Sequence, residues 1–519
     1  MDLLLDNALI VDGTGAPAYP GSILLREGRI AATGLGVRDE AAQTVDCAGF
    51  VVSPGFIDVH THSDYEVLDG RTNKVSQGVT TEVVGNCGYS LFPAALERLH
   101  ADTGDIFENL PELGIDSAAD YFAAAEHAKP LVNVAALTGH SAIRRRVLGM
   151  SRNAPTRDEQ REMERLLEQS LDEGSIGFST GLNCLPSSFA QFDELAALCR
   201  VLKRYGAFYT THMRDYKFRA VEAVEEAIRL AETAEVAVQL SHVQVVGKKN
   251  WHQLDVILEL VDKAARRGLD VGMDAYPYLA GSCSFLQFLP EWSQDGGVQA
   301  VLRRLESPAD RDRIARETDD YMANTWADIV ICGVNDARGA ALVGRTVQDI
   351  ADERGRRAPD TAIELLREQQ GNLYVISFNS REENVRKVIS HPLTSVCSDS
   401  FVATGLSHPR TFGTYPQLLG YCVRERHWMP LEVAVAKATS VPAKRFRMRD
   451  RGVIARGARA DVVVFDPAAI GPGNDYTRPS EPPVGIRMVI VNGEIVIENG
   501  RASGNRSGAP VRLFNQMAQ

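Results

Sequence analysis

The chain has 519 residues, of which 44% are apolar and 24% are charged, a composition typical of a folded globular protein and not of a disordered or fibrous one. Its 56 basic and 68 acidic residues give a formal net charge of −12, which argues against nucleic acid or an anionic membrane surface as the main partner. No run of the sequence reaches the roughly 18–20 consecutive apolar residues that a transmembrane helix needs.

Both ends of the chain are rich in predicted strands. The first fifty residues consist of short apolar runs separated by turns, which is the pattern of a small antiparallel sheet. Near the other end, Asn492-Gly493 lies between two alternating runs and predicts a β-hairpin. We therefore predict one small β-sandwich domain built from residues 1–55 and 441–501. The segment 502–519 is rich in turn residues, and we expect a C-terminal tail there.

The middle of the chain, 56–440, alternates short apolar runs with amphipathic helical stretches. The candidate strands are FIDVH 56–60, TTEVVG 80–85, NVAALTG 133–139, SIGFSTG 175–181, FYTTH 208–212, AVQLSH 237–242, DVGMDAY 270–276, LYVISF 373–378 and TSVCSD 394–399. Repeated strand–helix units predict a parallel sheet, and about eight of them predict a closed (β/α)₈ barrel of the TIM type. Nine candidates for eight places leave at least one outside the barrel. The segment at about 285–370 carries charged helices and is predicted to be an insertion.

Several of the predicted barrel strands end on, or lead into, side chains that can bind a metal. These side chains are His60, His62, Cys87, His212, His242 and Asp399. The carboxyl ends of the strands of a (β/α)₈ barrel converge on one face, where active sites are built. Imidazole nitrogen, thiolate sulfur and carboxylate oxygen are the donors that Zn²⁺ prefers. The sequence therefore predicts a metal centre at the mouth of the barrel.

The segments around these residues match the motifs of a known family. They are VSPGFIDVHTHSD, GVTTEVVGNCG, TTHMRDY, SHVQVVG, DAYPYLAGS and SDS followed by SHPRTFGTYP. Together with GVIARGARADVVVFDP and VIVNG they resemble the N-acyl-D-amino-acid deacylases (D-aminoacylases) of the amidohydrolase superfamily over nearly the whole chain. Most members of that superfamily bridge two metals with a carboxylated lysine at the end of barrel strand four. The predicted fourth strand has no lysine, and Cys87 is the available substitute.

The resemblance implies one or two Zn²⁺ ions per chain. Residues matching Cys87, His212 and His242 bind one metal in the D-aminoacylase branch. Residues matching His60, His62 and Asp399 form a second metal position, which is often weakly occupied. The resemblance also places Asp399 to take a proton from the attacking water and to pass it to the leaving nitrogen.

Four further residues match substrate contacts of the family. Arg410 matches the arginine that holds the substrate α-carboxylate, a task that suits a bidentate guanidinium. Tyr278 and Ser284 lie where relatives place substrate-contacting side chains, although Tyr276 is close enough to be confused with Tyr278. Gln244 stands where relatives often have a lysine. We therefore expect neutral N-acyl-D-amino acids to be preferred over N-acyl-D-glutamate or N-acyl-D-aspartate, unless another basic side chain supplies the charge.

The predicted activity is hydrolysis of the amide bond of N-acyl-D-amino acids by a metal-activated water. One alternative is a cyclic amidase, such as a hydantoinase or dihydroorotase, or another amide hydrolase of the superfamily. Cys87 in place of a strand-four lysine argues against the cyclic amidase. The other alternative is a non-catalytic scaffold of the same fold, against which the complete set of metal donors argues.

We expect a small-molecule N-acyl amino acid as the partner, and neither nucleic acid nor a membrane. The sequence leaves a homo-oligomer open. The expected location is the cytoplasm, because Asp2 and Asp6 stand where a secretory signal would be basic. The eight scattered cysteines also form no CxxC pair and no disulfide framework.

Overall fold

The structure is a computed structural model that describes residues 2–93, 114–335, 337–402 and 405–513. The end of the predicted tail, 514–519, lies outside the described residues. In chain order, the strands of the described part are β1 (Leu3–Ile10), β2 (Tyr19–Arg26), β3 (Arg29–Gly34), β4 (Gln43–Asp46), β5 (Val51–Pro54), β6 (Phe56–Asp58), β7 (Val79–Val84), β8 (Asn133–Ala136), β9 (Thr138–Gly139), β10 (Gly177–Gly181), β11 (Phe208–His212), β12 (Ala237–Leu240), β13 (Val271–Ala275), β14 (Ala280–Ser284), β15 (Ile329–Gly333), β16 (Tyr374–Phe378), β17 (Thr394–Val396), β18 (Val462–Phe465), β19 (Ile486–Val491), β20 (Glu494–Glu498) and β21 (Arg501–Ala502).

The helices lie mainly between the strands of the middle part. Within the described residues they are α1 (Glu66–Asp69), α2 (Ala118–Ala128), α3 (His140–Leu148), α4 (Arg157–Asp172), α5 (Phe192–Tyr205), α6 (Ala220–Ala234), α7 (Gln253–Arg266), α8 (Gly297–Glu306), α9 (Pro308–Asp320), α10 (Val347–Arg354), α11 (Ala358–Glu368), α12 (Glu382–Ser390), α13 (Arg410–Gln417), α14 (Leu431–Ala438) and α15 (Ser440–Arg445). None of the helices in these segments is both long and apolar enough to cross a membrane.

Both ends of the chain contribute to one nine-stranded sheet. Its order is β21-β20-β19-β18-β5-β1-β2-β3, and β4 pairs with β1, so that β18 joins the C-terminal strands to β5. Asn492 and Gly493 form the turn between β19 and β20, with φ of 47° and 87°. These positive φ values are typical of the tight hairpin turn that the sequence predicts. The predicted domain boundaries stay a prediction.

Eight parallel segments form the barrel, and they confirm the predicted fold class. The segments are β6, β7, β8 with β9, β10, β11, β12, β13 and β17, where β8 and β9 are separated only by Leu137. The barrel closes through the residues that follow β6 and β17. There the Asp399 N–H donates to the His60 carbonyl at 2.7 Å, and the His62 N–H donates to the Ser400 carbonyl at 2.9 Å. The closing hydrogen bonds therefore join two segments that carry predicted metal ligands.

The barrel helices are amphipathic and pack their apolar side against the strands. In α4, for example, Thr156 accepts a hydrogen bond from the Glu159 N–H, and the Glu159 carboxylate accepts one from the Thr156 N–H. This capping box satisfies N–H groups that the first turn of a helix leaves free. Met163, Leu167 and Leu171 are fully buried in the main core. Packing of this kind fixes the strands, so that their carboxyl ends meet at one face.

One of the nine predicted strands, 373–378, lies outside the barrel. It corresponds to β16, which forms a three-stranded antiparallel sheet in the order β14-β16-β15. This sheet and helices α8 to α11 form a layer inserted after β13, with a core of its own that includes Phe285, Ile331 and Val375. We call it the inserted layer. It begins before and ends after the predicted insertion at about 285–370, and its residues line the cavity at the barrel mouth.

Candidate metal centre

The structure brings the six predicted metal ligands together at the carboxyl ends of the barrel strands. His60 and His62 follow β6, Cys87 follows β7, His212 ends β11, His242 follows β12 and Asp399 follows β17. Donor atoms of His60, Cys87, His242 and Asp399 all lie within 4.8 Å of one another. A cluster of this size is large enough for one ion to contact several of the donors.

The distances show how tightly these side chains are packed. The Cys87 Sγ lies 3.2 Å from the His60 Nε2 and 3.6 Å from the His242 Nε2. The Asp399 Oδ1 lies 3.4 Å from the Nε2 atoms of both His60 and His62. The sixth side chain, His212, has its ring centroid 4.5 Å from that of His242, in an edge-to-face arrangement.

The imidazoles of this cluster fit a metal because buried nitrogen atoms are left without partners. The Nδ1 of His62, the Nε2 of His212 and the Nδ1 of His242 are buried and have no hydrogen-bond partner among the described residues. Burial lowers the pKa of His242 to about 4 and that of His212 well below its ordinary value. Neutral imidazoles offer a lone pair to a metal. Buried polar atoms are normally paired, and a bound cation would pair these.

Three of the six side chains stand on strained backbone. Cys87, His242 and Asp399 have φ values of 53°, 33° and 47°. Left-handed φ is uncommon for residues with a Cβ atom, and it persists where the surrounding structure fixes it. Burial also raises the pKa of the Cys87 thiol well above its ordinary value. A coordinated metal would deprotonate such a thiol, so the site would gain its full donor strength on metal binding.

Asp274 supports the cluster from behind, and the sequence analysis missed it. Its Oδ1 accepts hydrogen bonds from the His60 Nδ1 at 3.2 Å and from the His242 N–H at 2.7 Å. Its Oδ2 accepts one from the Gln239 Nε2 at 2.9 Å. A carboxylate on Nδ1 fixes the tautomer of a metal-binding histidine and turns its Nε2 toward the metal. Asp274 lies within β13 rather than after it, so an analysis of strand ends did not include it.

Arg410 forms an ion pair with Asp399, the carboxylate of the cluster. Its Nη1 lies 2.8 Å from the Asp399 Oδ2, and its guanidinium lies over the Tyr276 ring at 4.5 Å from the centroid. Arg410 is only 1% exposed, and its Nε has no hydrogen-bond partner among the described residues. Burial raises the pKa of Asp399, but the charge of Arg410 and the nearby imidazoles outweigh it and hold that pKa well below the ordinary value. Asp399 is therefore an ionised carboxylate.

The cavity above the cluster contains some of the predicted substrate residues. It has a volume of about 760 Å³, part of which is open to solvent, and is lined by Arg410, Asp399, Gln244 and Tyr276, among others. The Tyr276 hydroxyl is hydrogen-bonded to the Gln244 side chain. An adjoining cavity of about 740 Å³ is lined by Ser284 and also reaches Arg410 and Asp399. Arg410, Gln244 and Ser284 are thus brought to the cluster.

Tyr278 is not brought to these two cavities. It lines a neighbouring cavity of about 340 Å³, whose wall shares His242, Gln244 and Tyr276 with the cavity above the cluster. Its ring packs edge-on against His408, with the centroids 5.3 Å apart. The structure places Tyr276, the residue that sequence reasoning could confuse with it, beside Arg410 instead.

Comparisons with known proteins agree with this architecture. The sequence matches the family described as the amidohydrolase family over residues 43–497. It is 36% identical over 513 residues to the D-aminoacylase of Alcaligenes xylosoxydans xylosoxydans, covering 98% of this chain and 96% of that protein. It is 34% identical over 495 residues to the N-acyl-D-glutamate deacylase of the same organism, covering 95% and 93%.

The fold is also similar to that of a solved deacylase structure. The crystal structure of the N-acyl-D-glutamate deacylase from Bordetella bronchiseptica contains zinc and a phosphonate inhibitor that mimics the tetrahedral intermediate. It matches this structure with a TM-score of 0.85 and 33% sequence identity, covering 99% of both chains. Family match, identity and fold agree over nearly the whole length. The chain therefore belongs to the amidohydrolase family.

Proposed function

We propose that this protein is a zinc-dependent hydrolase that cleaves the amide bond of N-acyl-D-amino acids and releases a carboxylate and a D-amino acid. The observation that carries the proposal is the buried donor cluster that shares a cavity with the guanidinium of Arg410. The relatives named D-aminoacylase and N-acyl-D-glutamate deacylase support a linear N-acyl-D-amino acid as the substrate. Arginine beside metal donors suits a substrate that carries both an amide and a free carboxylate.

The six clustered side chains would hold the metal. In this assignment Cys87, His212 and His242 would hold one zinc ion, and His60, His62 and Asp399 would hold a second. When bound, zinc supplies a Lewis acid that polarises the scissile carbonyl and lowers the pKa of a water molecule. Asp274 keeps the His60 ring in place through the hydrogen bond to its Nδ1.

The proton transfer is assigned to Asp399. Its ionised carboxylate accepts a proton from the attacking water at Oδ1 and delivers it to the leaving nitrogen, which would otherwise depart as an amide anion. Arg410 binds the α-carboxylate of the substrate through its fork of N–H donors, and the Tyr276 ring supports the guanidinium from one side. Because Arg410 contacts Asp399, a substrate held by Arg410 has its amide near the base.

The proposal is tested by a hydrolysis panel on the zinc-loaded protein. We expect N-acetyl-D-amino acids to be hydrolysed, their L-enantiomers to be hydrolysed poorly, and one to two zinc ions per chain by metal analysis. A hydantoin serves as the control substrate for the cyclic amidase. Turnover of the hydantoin without turnover of any N-acetyl-D-amino acid would overturn the proposal. The cytoplasmic location and the homo-oligomer stay predictions.

A further inference from the structure

A second basic side chain lines the cavity that contains Arg410. Lys217 lies in the loop between β11 and α6, and its ammonium group lies 5.0 Å from the centroid of the Phe288 ring and 4.6 Å from that of Tyr321. Both aromatic residues belong to the inserted layer. Lys217 and Arg410 are part of the lining of the same cavity of about 760 Å³. Lys217 therefore places a positive charge beside two aromatic rings in the cavity wall, to which Asp215 also contributes.

The Lys217 ammonium forms no direct ion pair and no hydrogen bond within the described part of the chain. Its Nζ makes the ring contacts above, and the Asp215 carboxylate also acts on it electrostatically. The nearby Asp215 is already engaged, since it accepts hydrogen bonds from the backbone N–H groups of Lys217 and Arg219 and from the Tyr321 hydroxyl. A half-buried cation without a direct ion pair is incompletely compensated, so an anion that enters the cavity gains by pairing with it.

The loop after β11 has two other basic residues, of which Arg219 is exposed and does not line the cavity, and Arg214 is not available for this role. The Arg214 guanidinium binds both carboxylate oxygens of Glu226, at 2.9 and 3.0 Å. Its remaining donors bind the backbone carbonyls of Ser188 and Ala190, each at 3.0 Å. Of the two basic side chains that this loop contributes to the cavity, Lys217 is thus the one without an ion pair.

Lys217 and Arg410 both lie near one residue of the cavity wall. The Cys283 side chain lines the cavity, and both cations act electrostatically on its thiol, whose pKa burial raises to about 12. Arg410 is already assigned to the substrate α-carboxylate. Lys217 therefore supplies a second positive charge within reach of the same substrate molecule.

We propose that Lys217 binds a second anionic group of the substrate, so that the preferred substrates are N-acyl-D-amino acids with a carboxylate besides the α-carboxylate. This inference rests on the proposed function and names its substrate class. The second carboxylate comes from the amino-acid side chain or from a dicarboxylic acyl group, which present the same chemistry to an ammonium group. Phe288 and Tyr321 would cover the methylene groups that lead to it. The inference reverses the preference for neutral substrates that Gln244 predicts.

The test compares matched substrate pairs on the zinc-loaded enzyme. N-acetyl-D-glutamate is measured against N-acetyl-D-glutamine, and N-succinyl-D-methionine against its terminal amide. We expect kcat/KM to be about tenfold or more higher for the anionic member of one pair, the usual effect of a charged hydrogen bond. The pair that shows this preference identifies the source of the second carboxylate. Lys217→Gln should reduce the preference by about tenfold or more, and Lys217→Arg, which keeps the charge, should retain most of it.

Lys249→Gln is the matched control, because it removes an exposed cation that does not line the cavity. It should leave the preference unchanged. Equal kcat/KM within both pairs, or a preference that Lys217→Gln does not alter, would overturn the inference while hydrolysis of N-acetyl-D-methionine still supports the proposed function. Failure to hydrolyse any of the D-substrates would overturn both.

Discussion

Replacing Asp274 by asparagine tests how much the support behind the metal ligands contributes to zinc binding. Asp274 is 1% exposed and receives four hydrogen bonds, three at Oδ1, of which one comes from the Cys397 thiol, and one at Oδ2. Asparagine has nearly the same shape but a single acceptor oxygen and no charge. If that oxygen keeps the bonds from His60 and His242, the new NH₂ group faces the Gln239 Nε2, a donor against a donor.

The Gln239 side chain cannot relieve this conflict by turning over. Its Oε1 accepts a hydrogen bond from the Arg445 Nε at 3.0 Å, which fixes the orientation of the amide. The variant therefore loses the Gln239 bond, about 1 kcal/mol, and the charge assistance of the His60 bond, about 1 kcal/mol more. We expect unfolding free energy to fall by about 2–3 kcal/mol, since a buried donor is also left unsatisfied.

Zinc affinity should fall by about 10- to 100-fold, the usual effect of removing a carboxylate that orients a ligand histidine. The measurement is a competition titration with a chelator, combined with chemical denaturation of the zinc-loaded protein. Asp255→Asn is the control, because Asp255 makes an exposed ion pair with Lys387 that contributes little. A zinc affinity within threefold of wild type for Asp274→Asn would refute the reasoning.

Three further predictions concern the ligands and a buried lysine. Cys87→Ala should abolish both the activity and the binding of zinc at the Cys87 position, as measured by rate assay and metal analysis. The control Cys199→Ala changes a buried cysteine of a helix and should leave zinc in place. Asp399→Asn should lower kcat by about 10²–10⁴ while zinc at the Cys87 position survives, and a loss below tenfold would assign the proton to another group. Burial lowers the pKa of Lys437 to about 8 from its ordinary 10.5. Between these pH values the unfolded chain binds the extra proton, so the unfolding free energy of wild type rises with pH, whereas that of Lys437→Met lacks this rise. In denaturation experiments across this window, the unfolding free energy of Lys437→Met relative to wild type should therefore fall by up to roughly 3 kcal/mol.

The six donors could be predicted because each is tied to a strand end. Once the alternation of strands and helices predicts a barrel, topology alone brings side chains after β6, β7, β11, β12 and β17 to one mouth. No knowledge of side-chain packing is needed for that step. The reasoning holds even where the local backbone is unusual, as at Cys87 and His242, whose left-handed φ values no periodicity indicates.

Other features depend on side-chain direction, which apolar patterns do not contain. Tyr276 and Tyr278 are two residues apart after β13, and only the path of the loop decides that Tyr276 lies under Arg410. The same limit applies to 373–378, whose continuous apolar run fits a barrel strand as well as the antiparallel strand that it forms. Asp274 was not predicted because it lies inside a strand, whereas the search considered strand ends.

The charge of the cavity shows why one position cannot decide substrate preference. Gln244 stands in the loop after β12 where relatives often have a lysine. The absence of that positive charge, taken alone, predicts a preference for neutral substrates. The cavity wall, however, is also built from the loop after β11, which contributes Lys217 as well as Asp215, and from the inserted layer, which contributes the rings of Phe288 and Tyr321. Electrostatic selection of a ligand depends on the sum of charges that face it. A basic residue lost from one loop can therefore be replaced from another without any matching motif.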